Sequence, residues 1–593
     1  MKRELKKRTI GRFLLPILIL AAAISWWALP QSSAATYNVT IDPGTTYQTL
    51  EGFGAAIAWY GSWLTDHPNK AELYKILFQD LGLDIIRFRN TYGSRNGESF
   101  APIEAAVLAG AKNALGHDLK VLISSWTPPS DLKLNGTLNG GTLAKINGSF
   151  PYDDFAQYWY DSLVAYKEKG IVPDYISIQN EPDYENSGWE TCIFKPAETT
   201  DYPGYGTALD AVYNKLQILE NVPKIIGPEA CGLNESLGQY TDNMDLSQVY
   251  GIAHHLYNGG SSDNSDPDAF ITNMCKYKSL YGDKPLFQTE FDYGTPLNTG
   301  ILMINALVEE GVSGYFYWDL IWSNSQRPLV KLENAYNTSE WTTTEGYIIT
   351  DWYYVFEQFS KFTDPGFTRV AATSDSSTIR TTAFVSEDQE QLTVILINNG
   401  STESTVALDL GGYTAGSSAI YRTIPDGAEK CSEIGSLGAG NTVSLPAQSI
   451  ATVVISTGGA TPTATDTATT TATATATPTV TATPTASAAV YTLNYTQFDW
   501  GSGATVSITI KNNSATAIDG WQLTWDFGGT QKISNLWNGS YTQDGNSVTV
   551  TNLDYNATIP AGGTVSFGFN MSYSGANTKP TAFALNGTVC QVQ

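Results

Sequence analysis

Two glutamates stand where chemistry could be done. Glu181 closes the run Tyr175-Ile-Ser-Ile-Gln-Asn-Glu, and Glu290 closes Leu286-Phe-Gln-Thr-Glu. Each follows a short apolar, β-branched or aromatic stretch, so each falls at the end of a strand. A lone glutamate in such a place is more often a solvated loop carboxylate. Two of them facing each other across one pore are a different matter. Carboxyls held about 5–5.5 Å apart suit a double displacement at a glycosidic carbon, with one attacking and the other moving the proton. The nucleophile must stay ionised and wants cationic or hydroxyl neighbours, which Arg87 and Tyr257 would give Glu290. The acid must hold a proton, and an ionised partner raises its pKa, which suits Glu181. Asn180, next to Glu181, is placed to hydrogen-bond a sugar 2-hydroxyl.

The elements that must position these groups follow a rhythm of short strands and helical stretches. Strands are expected over 52–57, 84–90, 120–126, 174–179, 224–227, 252–257, 285–290 and 314–319, with amphipathic segments such as 70–80, 153–169 and 297–310 between them. Eight strands, each followed by a helix, predict a (β/α)8 TIM barrel, whose chemistry sits at the C-terminal strand ends. The alternative is a doubly wound sheet, for which no GxGxxG signal is present. In the barrel reading Glu181 ends strand four and Glu290 ends strand seven. Arg87 and Arg89, Trp126, His254 to Tyr257, and Trp318-Asp319 end strands two, three, six and eight.

The chain around the barrel divides by composition. Residues 1–35 carry a basic start, an apolar run from Phe13 to Leu29 and Ser33-Ala34-Ala35, which reads as a secretory signal peptide; a retained anchor is the alternative. The product is expected to be secreted and extracellular, with no membrane association after cleavage. Tyr37–Thr49 is strand-like, and residues 363–456 alternate apolar and polar, so segments 36–49 and 363–456 are expected to form one antiparallel β side domain around the barrel of 50–362. Residues 457–487 are Thr, Pro and Ala with almost nothing to bury, a semi-rigid tether. Residues 488–593 read as a small β-sandwich. The net charge of −25 argues against nucleic acid as a partner, while 15 Trp and 33 Tyr favour neutral, stackable ligands such as sugars. Four His and five widely spaced Cys give no metal signature, so neither metal nor cofactor is expected, and at most a bridge or two.

The motifs EGFGAAIAW, SSWTPPSDLK, ISIQNEPDYENSGW, AHHLY and KPLFQTEFDYG, in this order over Tyr37–Ser456, resemble glycoside hydrolase family 30, the bacterial xylanase branch. The resemblance implies a retaining endo-β-1,4-xylanase with Glu181 as acid/base and Glu290 as nucleophile. It also implies that Trp59, Trp126, Asn180, Trp189, Tyr257 and Trp318 line the sugar sites, supported by Arg87 and His255. Among the tryptophans, Trp126 and Trp318 are expected to escape core packing better than Trp59 or Trp189. Glucuronoxylan-specific members carry an arginine after strand eight; here YWDLIWSNSQRPLV puts Ile321 and Trp322 in that place and Arg327 further on. The stretch IDGWQLTW and the ending PTAFALNGTVC resemble a family 2 carbohydrate-binding module. In that family three aromatics form a flat cellulose-binding face, which map to Trp500, Trp537 and Tyr555, with Trp521 and Trp525 in the core phase. The expected protein is a monomer that takes xylan as substrate and cellulose as anchor. The alternatives are the same machinery acting on β-1,6-glucan or as an exo-glycosidase, and a non-catalytic polysaccharide-binding protein.

Overall fold

The computed structural model describes residues 35–93, 102–259, 265–323, 327–341, 346–413, 415–456, 490–499, 503–514, 516–553, 556–575 and 577–592. The chain forms two compact units that divide between Asp466 and Thr467. The signal-peptide and tether segments lie almost wholly outside the described residues.

In the first unit, β1 (Ala35–Thr49) precedes eight parallel strands that close into a barrel: β2 (Gly52–Ile57), β3 (Ile85–Arg89), β4 (Lys120–Ser124), β5 (Tyr175–Ser177), β6 (Lys224–Ala230), β7 (Gly251–His255), β8 (Leu286–Glu290) and β9 (Val312–Tyr317). Closure is direct, since β2 pairs with both β3 and β9. That pairing removes the doubly wound alternative. The strand ranges differ from the sequence reading by a few residues: most strands leave the ladder before the last polar residues of the run, while β6 continues three residues beyond the expected end to Ala230. Helices α1 (Gly61–Asp66), α2 (Lys70–Tyr74), α3 (Pro102–Leu115), α4 (Tyr152–Glu168), α5 (Tyr205–Leu216), α6 (Glu235–Thr241), α7 (Ile271–Tyr281), α8 (Pro296–Asn305) and α9 (Asp351–Ser360) surround it. Local chemistry sets their ends. Thr295 caps α8 by accepting from the Asn298 N–H at 3.2 Å, with Pro296 in the first turn where no N–H is needed.

Inside the barrel, Ile85, Leu122, Tyr175, Ile226, Ala253, Phe287 and Phe316 form a packed plug. The glycine of the Gly-Phe-Gly-Ala stretch is required there: a Cβ on Gly54 would stand 2.4 Å from the Phe316 ring. Filled at this level, the barrel leaves its chemistry to the C-terminal rim.

After the barrel, β10 (Ile321–Trp322), β11 (Val330–Leu332) and β12 (Tyr347–Ile349) form a small sheet. The side domain comprises β13 (Thr368–Ser374), β14 (Ile379–Val385), β15 (Gln391–Asn398), β16 (Ser404–Asp409), β17 (Ser417–Thr423), β18 (Ser432–Gly435), β19 (Thr442–Leu445) and β20 (Ser449–Ser456), together with β1. The order is β18-β17-β20-β15-β14-β13-β1-β16-β19. β1 runs antiparallel to β13 and parallel to β16, so both ends of the barrel segment share one sheet. It packs on the barrel through α8 and α9, where Gly300 lets Val355, Ile397 and Ile450 approach closely.

The second unit is all-β. One five-stranded sheet orders Lys532–Trp537, Thr564–Ser572, Gly503–Asn512, Tyr491–Asp499 and Gln591–Val592; the other orders Ser540–Asp544, Ser547–Thr551, Gln522–Asp526, Phe583–Leu585 and Thr588–Val589. Trp521 and Trp525 are buried between them, stacked on Phe567 and Phe569. All five cysteines of the chain are free thiols.

Candidate active site

Period-two alternation sends Arg87 of β3 into the barrel while Phe88 goes to the outer core. Arg87 is fully buried and ties three strands together. Its guanidinium donates to Glu290 Oε2 at 2.6 Å, to Asn180 Oδ1 at 2.6 Å and to Ser124 Oγ at 3.2 Å. Tyr257 adds a second donor to Glu290, its hydroxyl reaching Oε1 at 3.1 Å. His255, at the end of β7, sits between the two glutamates. Its Nδ1 is 2.9 Å from Glu181 Oε1, and its Nε2 is 3.7 Å from Glu290 Oε2. One donor or acceptor atom from each of Glu181, His255 and Glu290 lies within 4.8 Å of the others. The two carboxyls therefore approach at the spacing of a retaining pair rather than the roughly 6.5–9.5 Å of an inverting one.

A further carboxylate completes the cluster, and the sequence reading missed it. Glu229 is fully buried, 3.1 Å from the Arg87 guanidinium and 3.9 Å from His255 Nε2. It belongs to β6, where the ladder with β7 slips between Pro228 and Ala230. That bulge leaves Glu229 at φ 56° and re-aims it into the pore, out of the alternation of its strand. Gly227-Pro228 ahead of it is the only local signal that the strand does not run regularly. The Glu229 carbonyl also accepts the backbone N–H of Glu181 at 3.0 Å, and Glu181 itself has φ 45°.

Electrostatically the site is crowded. Burial alone would push His255 down, but Glu290, Glu181 and Glu229 outweigh it and raise the imidazole to about 10. Burial would push Glu229 up, yet Arg87 and His255 hold it at about 2. Burial pushes Glu290 upward from its ordinary value against the lowering pull of His255 and Arg87. Nearby, burial raises Asp292 to about 7 despite Arg327, and Asp319 is pushed well up by burial and by Asp292. Arg87 already stands as a cation beside Glu290, and the cluster suits proton handling.

Aromatic rings wall the mouth. Trp59 stands edge-on to Trp126 at 5.2 Å and to Trp318 at 5.8 Å, and Arg87 lies over the Trp126 ring at 4.5 Å. Arg89 lies over Trp59 and pairs with Glu190 at 2.6 Å. The expected ranking of the tryptophans fails at both ends. Trp126, expected to escape core packing, is 3% exposed under the Arg87 guanidinium, and Trp189 is 47% exposed, ring against Tyr184. A loop of polar residues carries Trp189 away from the core.

His254 also departs from the sequence reading, which grouped it with the mouth. Alternation turns it outward, where Nε2 meets Glu310 at 2.5 Å. Ile321 and Trp322 form a two-residue strand beside Val330–Leu332, with Ile321 buried. Arg327 is exposed, its guanidinium 5.2 Å from the centre of the Tyr293 ring. Of the expected cellulose-binding face, Trp500 and Tyr555 lie outside the described residues, and Trp537 ends the strand Lys532–Trp537.

Comparison with known proteins divides along the same lines. Residues 366–453 match the model of the glycosyl hydrolase family 30 beta sandwich domain, and residues 487–590 match that of a cellulose binding domain. Exoglucanase A of Cellulomonas fimi is 42% identical over 99 residues, 17% of this chain and 11% of that protein, so the match spans only a small part of that relative. Glucuronoxylanase XynC of Bacillus subtilis is 24% identical over 76% of this chain and 99% of its own length. An endo-1,6-beta-D-glucanase of Neurospora crassa is also 24% identical, over 66% of this chain and 87% of that one. The catalytic domain of a family 30 xylanase C from Talaromyces cellulolyticus shares the fold with a TM-score of 0.57 and 21% identity, over 71% of this chain and all of that one. These matches carry a barrel of the same fold, a family 30 β-sandwich over 366–453 and a cellulose binding domain over 487–590.

Proposed function

We propose that the protein is a secreted retaining glycosidase of the family 30 type, an endo-β-1,4-xylanase that its C-terminal module anchors to cellulose. The observation that carries the reading is the Glu181–Glu290 pair, with carboxyl oxygens within 4.8 Å and Arg87 and Tyr257 donating to Glu290. Against the upward push of burial, Arg87, Tyr257 and the His255 cation favour the carboxylate form of Glu290, which attacks the anomeric carbon. Glu181 holds the shared proton, gives it to the leaving oxygen and then takes one from the water that frees the glycosyl–enzyme. Asn180, tied to Arg87, is set for the sugar 2-hydroxyl, and Trp59, Trp126 and Trp318 close the walls. In this reading the barrel spans 50–362 and its side domain 36–49 with 363–456. The tether of 457–487 holds the module of 488–593 close to plant-wall fibres, where xylan lies beside cellulose.

The extended match to an endo-1,6-beta-D-glucanase supports a second reading, the same mechanism on β-1,6-glucan. Glucuronoxylan, arabinoxylan, linear xylan and β-1,6-glucan offered side by side separate the two. Xylo-oligosaccharide products of retained anomeric configuration support the first reading; an inverted first product, or gluco-oligosaccharides from β-1,6-glucan alone, overturns it. For the module, residues 488–593 should bind insoluble cellulose and weaken by about 1–2 kcal/mol for each of Trp500, Trp537 and Tyr555 changed to Ala. Full binding by the triple variant would place the face elsewhere.

A further inference from the structure

Glu229 is a buried ionisable group in the pore that the proposed mechanism leaves without a task. Glu229 lies inside the barrel with no exposure to water, and its oxygens are held by charge rather than by aligned hydrogen bonds. The groups facing it come from every side: Arg87 from β3, Ser177 from β5, Tyr205 from α5, His255 from β7 and Glu290 beyond them on β8. A bulge and a left-handed backbone are spent on pointing it there.

The charges show what it does. Two cations, Arg87 and His255, meet three carboxyls, Glu181, Glu229 and Glu290. With Glu229 and Glu290 ionised and one proton on Glu181, the cluster is neutral, and that is the resting form the double displacement needs. Without the charge of Glu229 the pore holds an uncompensated cation, which draws protons off Glu181 and His255 alike.

We propose that Glu229 is a positioning residue: the buried counter-charge that holds Arg87 and His255 in the pore and so sets the pH range in which the Glu181–Glu290 pair works. The inference rests on the glycosidase reading for its catalytic consequence but not for its electrostatic one. Acting through Arg87 and His255, Glu229 touches no substrate. Its carbonyl, bonded to the Glu181 N–H, couples the same bulge to the acid's backbone.

The test uses the full chain with labelled histidine, whose imidazole signals number only four. In the unmodified protein His255 stays protonated above pH 9. Glu229→Gln lowers its titration by about one unit or more, the size expected of a unit charge lost a few ångströms away. Glu229→Asp, which keeps the charge, leaves it within a few tenths. The activity profile of the Gln variant on an aryl β-glycoside shifts toward acid on both limbs, while that of the Asp variant keeps its position at a lower kcat. A neutral His255 at pH 8 in the unmodified protein overturns the proposal without any variant. So does an unmoved His255 titration in a Gln variant that still melts cooperatively. Since the imidazole readout needs no substrate, a protein that cleaves no β-glycan would sink the glycosidase reading and leave this one standing.

Discussion

Carboxylates, cations and tyrosines meet at both ends of the barrel, and the two clusters behave differently. At the floor, Glu51 precedes β2, Lys120 and Lys224 open β4 and β6, Tyr175 opens β5, and Tyr250 precedes β7. Glu51 accepts from Tyr175 at 2.5 Å, from Tyr250, and from Lys120 at 3.2 Å, with Lys224 at 3.7 Å. Glu51 there meets two cations, and the Lys120 and Lys224 side chains are 32% and 45% exposed. At the rim the ratio is three carboxyls to two cations, with Arg87 and Glu229 wholly dry. Burial would push Glu51 up, but its tyrosines and lysines outweigh that and hold it below its ordinary value. At the rim burial pushes Glu290 upward, and the three carboxyls facing His255 keep a proton on its imidazole. Cations and hydroxyls gathered on one carboxylate near water make a clamp; carboxyls crowded round an imidazole away from water make a proton store.

The contrast can be broken most sharply at Glu290. Glu290→Gln should lower turnover on the order of 10³-fold or more, with the melting transition almost unmoved. An equal loss of activity and of stability would make the rim a clamp like the floor. Glu181→Gln comes next, with about 10²- to 10⁴-fold lost on glycans with poor leaving groups and little lost on activated aryl glycosides. Uniform loss across leaving groups would remove its role as acid. At the floor, Glu51→Gln should leave turnover unchanged and cost about 1–3 kcal/mol of unfolding free energy by freeing two tyrosine hydroxyls and a lysine. The sign of its pH dependence follows from the lowered pKa. The contribution of Glu51 is present above the ordinary glutamate value and lost as pH falls through the lower folded one, so the variant and the parent should converge in stability in acid. Arg327→Ala should be the mildest. An exposed cation contributes at most about 1 kcal/mol, so the ratio of glucuronoxylan to linear-xylan rates should change by less than about fivefold. A hundredfold change would make Arg327 a true carboxylate clamp.

Most of the architecture could be read from residue patterns, since each apolar run is short, punctuated and followed by an amphipathic stretch. Gly52–Ile57 is found to the residue. What pattern does not carry is phase. His254 and His255 look alike in sequence, and alternation sends one to Glu310 and the other between Glu181 and Glu290. Glu229 was missed for a related reason: the bulge breaks the two-residue period, so no alternation could have aimed it into the pore. Trp189 was misjudged because a loop, not a strand, decides its exposure. In the module, the packing of Trp521 and Trp525 is visible because Trp521, just ahead of the strand Gln522–Asp526, and Trp525 within it fall on the buried phase of one alternation.

The place of β1 bears on how the molecule is made. It lies between β13 and β16 in the side sheet, so without it the nine strands fall into a group of six and a group of two. Yet it is the first strand among the described residues, and its partners Thr368–Ser374 and Ser404–Asp409 follow more than three hundred residues later. Such distant pairing slows folding, because the whole barrel segment must be gathered before the ladder closes. During synthesis the leading strand waits, edges open, until the barrel and the last strands have emerged. The finished ladder then works as a latch: it joins the two ends of the barrel segment, and clipping the first fifteen described residues should release both the sandwich and the face of α8 and α9 that it covers.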